Sequence, residues 1–93
     1  MNKQEIAKMK RRVNELQKKF ADLGPVMRGS VVLIGKRNKQ YYFSLNKDKK
    51  THIIYLGKKR VDKAKQYSDN YKKLLEIIEE MTLLNMKLVK EDA

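Results

Sequence analysis

The spacing of apolar residues changes period twice along this chain, and that constrains the fold more than any other feature. Ile6, Met9, Val13, Leu16, Phe20 and Leu23 recur at alternating steps of three and four, a stripe along one face of an α-helix. The opposite face is Lys and Arg with a few acids, and Gly24-Pro25 ends the segment with a C-cap glycine and a breaker. From Val31 the pattern becomes that of strands. Val31-Val32-Leu33-Ile34, ended by Gly35, is a β-branched run that reads as a buried strand. Gln40–Leu45 and Thr51–Leu56 are a second and a third strand, joined by a turn over Asn46–Lys50. After Gly57 the helical period returns and runs to about residue 90. Its stripe is Ala64, Tyr67, Tyr71, Leu74, Ile78, Met81, Asn85 and Leu88, and a second row, Leu75, Ile77, Leu84 and Val89, widens it from residue 74 onward.

The predicted fold is therefore α+β: an N-terminal helix (residues 1–24), a three-stranded antiparallel sheet (28–57) and a long C-terminal helix (58–90) packed on it, within one domain spanning 1–93. A helix apolar on more than one side needs more than one neighbour. The sheet is expected on one side, and the first helix or a second copy of the chain on the other, which allows a homodimer through the helices. Asn85 falls where a polar residue can fix the register of paired helices, and partial exposure near the C-terminus is the expectation preferred for it.

A hairpin turn centred on Asp48-Lys49 sets the register. It places Leu45 opposite His52, Phe43 opposite Ile54 and Tyr41 opposite Leu56 on an apolar face, with Tyr42 opposite Tyr55 and Ser44 opposite Ile53 on the other. Lys is a poor residue for the second position of a two-residue turn, so a longer loop with a shifted register is the alternative.

Composition enters where chemistry is sought. Cysteine is absent and His52 is the one histidine, which removes thiolate catalysis, Cys-based zinc sites, His-rich metal sites and most catalytic triads. The glycines, Gly24, Gly29, Gly35 and Gly57, lie apart at element boundaries and form no phosphate loop. Glu76, Glu79 and Glu80 follow Lys72 and Lys73 on a helix and read as a solvated face with ion pairs. His52 reads as structural or surface. No enzyme, cofactor or metal is expected. No apolar run approaches the roughly 20 residues of a membrane span, and MNKQEIAKMKRR lacks the apolar core of a secretory signal, so the expected compartment is the cytoplasm.

The charge points elsewhere. The 23 Lys and Arg against 11 Asp and Glu give +12, and the excess is uneven. Residues 36–60 hold nine cations and one acid, residues 1–24 hold seven and three, and residues 61–93 hold six and seven. Such a cluster attracts a polyanion, nucleic acid being the commonest, although lysine also marks plain solvated surface. A β-ribbon with one free face can enter the major groove of duplex DNA. Gln40, Tyr42, Ser44, Ile53 and Tyr55 would face bases or sugars, while Lys36, Arg37, Lys39, Lys47, Lys49, Lys50, Lys58, Lys59 and Arg60 would reach phosphates. The tyrosines could instead stack on unpaired bases of single strands or RNA, or simply pair across the strands to stabilise the sheet. The rival function is a protein-interaction factor that binds an acidic host or nucleoprotein surface.

Gly29-Ser30-Val31, Tyr41-Tyr42, Lys49-Lys50-Thr51, Ile54-Tyr55-Leu56, Asn70-Tyr71, Leu74 and Leu84-Asn85 occur in an order that resembles a family of small bacterial and archaeal proteins of unknown function. The resemblance covers about two-thirds of the chain, from Arg28 to about Leu88. Many members carry a cysteine cluster between the first two strands, where this chain has Gly35-Lys36-Arg37-Asn38-Lys39, so no metal role follows. Some lie near mobile elements, which implies a phage or mobile-element association. The order of three strands and a helix is also similar, in architecture only, to the arm-type DNA-binding domains of phage and transposon integrases.

Overall fold

A computed structural model describes residues 1–92. The elements follow the order α1 (Lys3–Ala21), β1 (Ser30–Ile34), β2 (Gln40–Lys47), β3 (Lys50–Tyr55) and α2 (Val61–Glu91), an N-terminal helix, an antiparallel three-stranded sheet and a long C-terminal helix. The chain divides into two compact units, Met1–Gly24 with α2 from Lys73 onward, and Pro25–Lys72. Among the described residues no helix is long and apolar enough to cross a membrane.

In the helical unit, α1 begins at the N-cap Asn2, whose side-chain oxygen accepts from the Glu5 amide at 2.8 Å. Glu5 in the first turn and Lys18 and Lys19 in the last complement the helix dipole. The helix ends at Ala21, earlier than the predicted Gly24. Val13, Leu16 and Ile77 are the buried apolar residues here. On α2 the inward residues are Leu74, Ile77, Met81, Leu84 and Leu88, again at steps of three and four. This corrects the predicted stripe: Ile78 and Asn85 lie on the solvent side, and Ile77 and Leu84 take their places. The two rows are adjacent on the helix surface, so periodicity alone could not choose between them. Arg12 crosses from α1 to α2, where its Nε donates to Glu80 Oε2 and its Nη2 to Glu80 Oε1 at 3.0 Å. Its Nη1 also donates to Glu15 at 3.1 Å. Hydrogen bonding to Arg12 holds the Glu80 carboxyl below its ordinary value and raises the guanidinium.

In the sheet unit the strands form a meander in the order β1-β2-β3. The register is the predicted one: Tyr42 faces Tyr55, Phe43 faces Ile54, Ser44 faces Ile53 and Leu45 faces His52. The Leu56 amide donates to the Tyr41 carbonyl at 2.9 Å, carrying the pairing one step past β3. A two-residue turn achieves this register, with Asp48 at φ 54° and Lys49 at φ 63°. Two consecutive left-handed residues are what a type I′ hairpin turn requires, and here neither is glycine.

Phe43, Leu56, Val61 and Ala64 form the core of this unit, with Met27 and Val31 packed against it. The start of α2 thus covers only one end of the predicted apolar face. Leu45 is half-buried, Tyr41 and His52 are exposed, and Ile54 is 58% exposed. β1, predicted to be buried, is an edge strand whose Leu33 and Ile34 remain largely open. Residues 58–60 are turn rather than helix, and α2 starts at Val61.

Three hydrogen bonds tie Pro25–Gly29 to α2. The Met27 amide donates to the Tyr67 carbonyl at 3.1 Å, the Ser68 hydroxyl to the Gly29 carbonyl at 2.9 Å, and the Asn70 side chain to the Pro25 carbonyl at 2.9 Å. Ser68 and Asn70 are themselves buried. Gly29 has φ +145°, and a Cβ there would stand 2.4 Å from the Ser44 carbonyl oxygen, so only glycine fits.

Candidate nucleic-acid interface

Alternation along the strands turns Ser30, Val32, Tyr42, Ser44, Ile53 and Tyr55 to the face of the sheet opposite the core. None of these residues is buried. Tyr42 and Tyr55 form an edge-to-face pair with centroids 5.6 Å apart and planes at 68°. The Tyr55 hydroxyl donates to Gln40 Oε1 at 3.2 Å. The cross-strand pair therefore forms, and it still leaves Tyr55 52% exposed and Tyr42 half-buried. Ile53, also about half exposed, adds an aliphatic patch beside them.

The cations flank this face at its two ends. Because β2 runs antiparallel to both neighbours, the β1–β2 loop and the β3–α2 connection share one end. Lys36, Arg37, Lys39, Lys58, Lys59 and Arg60 gather there, all exposed. The hairpin turn at the opposite end carries Lys47, Lys49 and Lys50, also exposed, with Asp48 among them. The eight residues of β2 separate the two ends by about 24 Å at strand rise. The sequence suggested a single basic segment, and the topology makes it two clusters.

Arg28 is a residue that the sequence reading counted but did not assign. Its guanidinium donates to the Asn46 carbonyl at 3.1 Å, which brings it to the hairpin end. Lys63 and Lys65, in the first turns of α2, stand 5.9 Å from the ring centres of Tyr67 and Tyr41. Arg28 and Asn46 lie 18 residues apart and Tyr41 and Lys65 lie 24 apart, which hides those two groupings from a local motif search, whereas Lys63 and Tyr67 stand at the i, i+4 spacing that a helix brings together.

By unit, the charge separates further. Residues 25–72 hold 13 Lys and Arg against 3 Asp, or +10, and the remainder of the chain holds 10 against 8, or +2. Among the described residues the ion pairs involve the Met1 amine, Arg12, Glu15, Glu80 and Glu91, so no cation of the sheet unit is paired. Cations at Lys58–Arg60 also precede the positive end of the α2 dipole, an arrangement that favours an anion nearby.

On the core side, past the cover of α2, Met27, Leu45, His52 and Ile54 line a cleft of about 470 Å³ with Arg28 and Lys47 at its margin. Among the described residues no three His, Asp or Glu side chains gather as a metal site. No family model, curated protein or solved structure matches the chain.

Proposed function

We propose that the sheet unit is a non-catalytic nucleic-acid-binding module with duplex DNA as its ligand. The observation that carries this reading is the set of 13 cations against 3 acids, none of the cations in an ion pair among the described residues, with ten of them (Arg28 and the nine of residues 36–60) at the two ends of an exposed sheet face. Among the described residues these cations hold no carboxylate partner that a phosphate must displace. Their separation of about 24 Å corresponds to roughly seven nucleotides along one strand of B-DNA. In this arrangement Lys36, Arg37, Lys39, Lys58, Lys59 and Arg60 take one set of phosphates and Lys47, Lys49 and Lys50 another. Gln40, Tyr42, Ser44, Ile53 and Tyr55 lie between them against the groove. Tyr55, the more exposed ring, supplies stacking area where the ligand is single-stranded DNA or RNA. A phage or mobile-element association is what the resemblance of the Arg28–Leu88 segment implies.

A second reading, capture of an acidic protein surface, draws on the cleft beside Ile54. Its apolar floor and the Arg28 and Lys47 margin suit a segment that alternates acidic and apolar side chains.

An electrophoretic shift titrated with salt tests the leading reading. Duplex DNA should be retarded by about 1 µM protein at low salt, and engagement of six or more phosphates should cost roughly 10³–10⁵ in affinity between 50 and 200 mM salt. Lys49→Glu with Lys50→Glu should abolish the shift. Failure to retard duplex DNA, single-stranded DNA and RNA alike at low salt would overturn the reading and leave the acidic-surface alternative.

A further inference from the structure

The helical unit has an open groove that its own residues do not fill. Gln17 and Phe20 of α1 and Ile78, Asn85, Met86 and Val89 of α2 line a space of about 730 Å³. Phe20 is 51% exposed, Ile78 46%, Met86 63% and Val89 69%. At roughly 150–200 Å² for each fully exposed large side chain, these four leave about 400 Å² of apolar surface open. That apolar area lies within the roughly 300–600 Å² of the largest patch on a typical monomer, a size that is often functional, and the polar margin of Gln17, Thr82 and Asn85 widens the whole face to about 600–700 Å².

We infer that this groove is the contact surface of a homodimer, in which a second copy of the chain seats the same face. Four observations select a second copy over another partner. The area fits, since two such faces together give about 1,200–1,400 Å², inside the range of stable protein interfaces. The charge fits as well. A two-fold interface brings each patch against itself, so a charged lining would meet its own sign, and none of these six residues is charged. The polar groups fit too: Asn85 and Gln17 carry amides that both donate and accept, and so can pair with their own copies. The Thr82 hydroxyl, also at the groove, is already satisfied by the Ile78 carbonyl at 2.7 Å. Finally, the unit needs the cover. About 45 residues with Val13, Leu16 and Ile77 as the buried apolar core are few for a folded unit, and oligomerisation is one of the usual ways to make up the deficit. Two helical pairs meeting along this groove make a four-helix bundle, with Asn85 near the axis setting its register.

Sedimentation of the full chain across the micromolar range tests this directly. The expected species is a dimer of the 11.0 kDa chain. Met86→Glu and Val89→Glu should each weaken association at least tenfold. Asn85→Asp, isosteric and at an exposed position, should weaken it without altering the fold, as circular dichroism would show. Leu83→Glu, beside Glu76 and Glu79 on a separate patch, should leave the dimer intact. The dimer should also persist at salt concentrations that abolish nucleic-acid binding, so the two proposals fail separately. A chain that stays monomeric throughout, or one whose dimer ignores Met86→Glu and Asn85→Asp, would overturn the inference.

Discussion

Arg12 and Glu80, 68 positions apart in sequence, meet through two parallel hydrogen bonds from one guanidinium to both oxygens of one carboxylate. This is the geometry in which arginine is not replaceable by lysine. It joins α1 to α2 at the level of Val13 and Leu16, beside the narrow core of the helical unit. Both side chains remain partly exposed, so the pair acts more to fix the alignment of the two helices than to supply bulk stability.

The pH dependence of that pair has a definite sign. A carboxylate whose folded pKa is depressed adds stability above its ordinary pKa and loses it as pH falls through the folded value. Wild type should therefore exceed Glu80→Gln in thermal stability at neutral pH. The two should converge once the pH drops well below 4.5, the ordinary value for Glu80. Paired thermal melts across that range measure it.

Gly29 is a second fixed point. Gly29→Ala would place a methyl group 2.4 Å from the Ser44 carbonyl and 2.8 Å from the Phe43 ring at a φ that side chains avoid. A loss of about 3 kcal/mol is expected in urea unfolding.

The hairpin turn should be improvable. Asp48 and Lys49 both hold left-handed backbone, a conformation that Asn-Gly adopts at lower cost. Asp48→Asn combined with Lys49→Gly should raise stability by about 1 kcal/mol. One acid and one base are removed together, so net charge is unchanged, while loss of the Lys49 contact should lower the slope of log DNA affinity against log salt by about 1. An altered turn with lost stability would contradict the I′ assignment.

Asn70 and Ser68 close the Pro25–Gly29 segment onto α2. Asn70→Ala leaves the Pro25 carbonyl without its side-chain donor and should cost about 1–3 kcal/mol, with Ser68→Ala toward the lower end. Hydrogen exchange should show faster exchange at the Met27 amide in both variants.

The two basic ends can be separated by slope. Lys58→Ala with Lys59→Ala, and Lys49→Ala with Lys50→Ala, should each lower the slope of log affinity against log salt by about 2 if both ends touch phosphate. A slope that responds to one pair alone would confine the footprint to that end.

A turn centred on Asp48-Lys49 set Tyr41–Leu45 against His52–Leu56 in the observed register and left a one-residue shift as the alternative, a slip that would turn Phe43 and Leu56 away from the core. Turn chemistry argued against a two-residue loop at Asp48-Lys49, and the register prevailed over it. In α2 the two apolar rows could not be ranked from sequence, since Ile77 and Ile78 are equally apolar and only the position of α1 distinguishes them. How far α2 covers the sheet was also illegible. Its first packing residues, Val61 and Ala64, reach Phe43 and Leu56 and leave Ile54 open. The candidate cations were readable as a list. Their grouping into two ends came only from pairing the strands.

Strand β3 has a consequence for handling as well as for binding. All six of its residues are exposed, and it is an edge, with Ile53 and Ile54 open on opposite faces. Such an edge invites strand-to-strand association, and the surrounding +10 of charge keeps copies apart. A polyanion near charge equivalence would strip away that colloidal protection. Titrations should therefore pass through a turbid window between free protein and saturated complex.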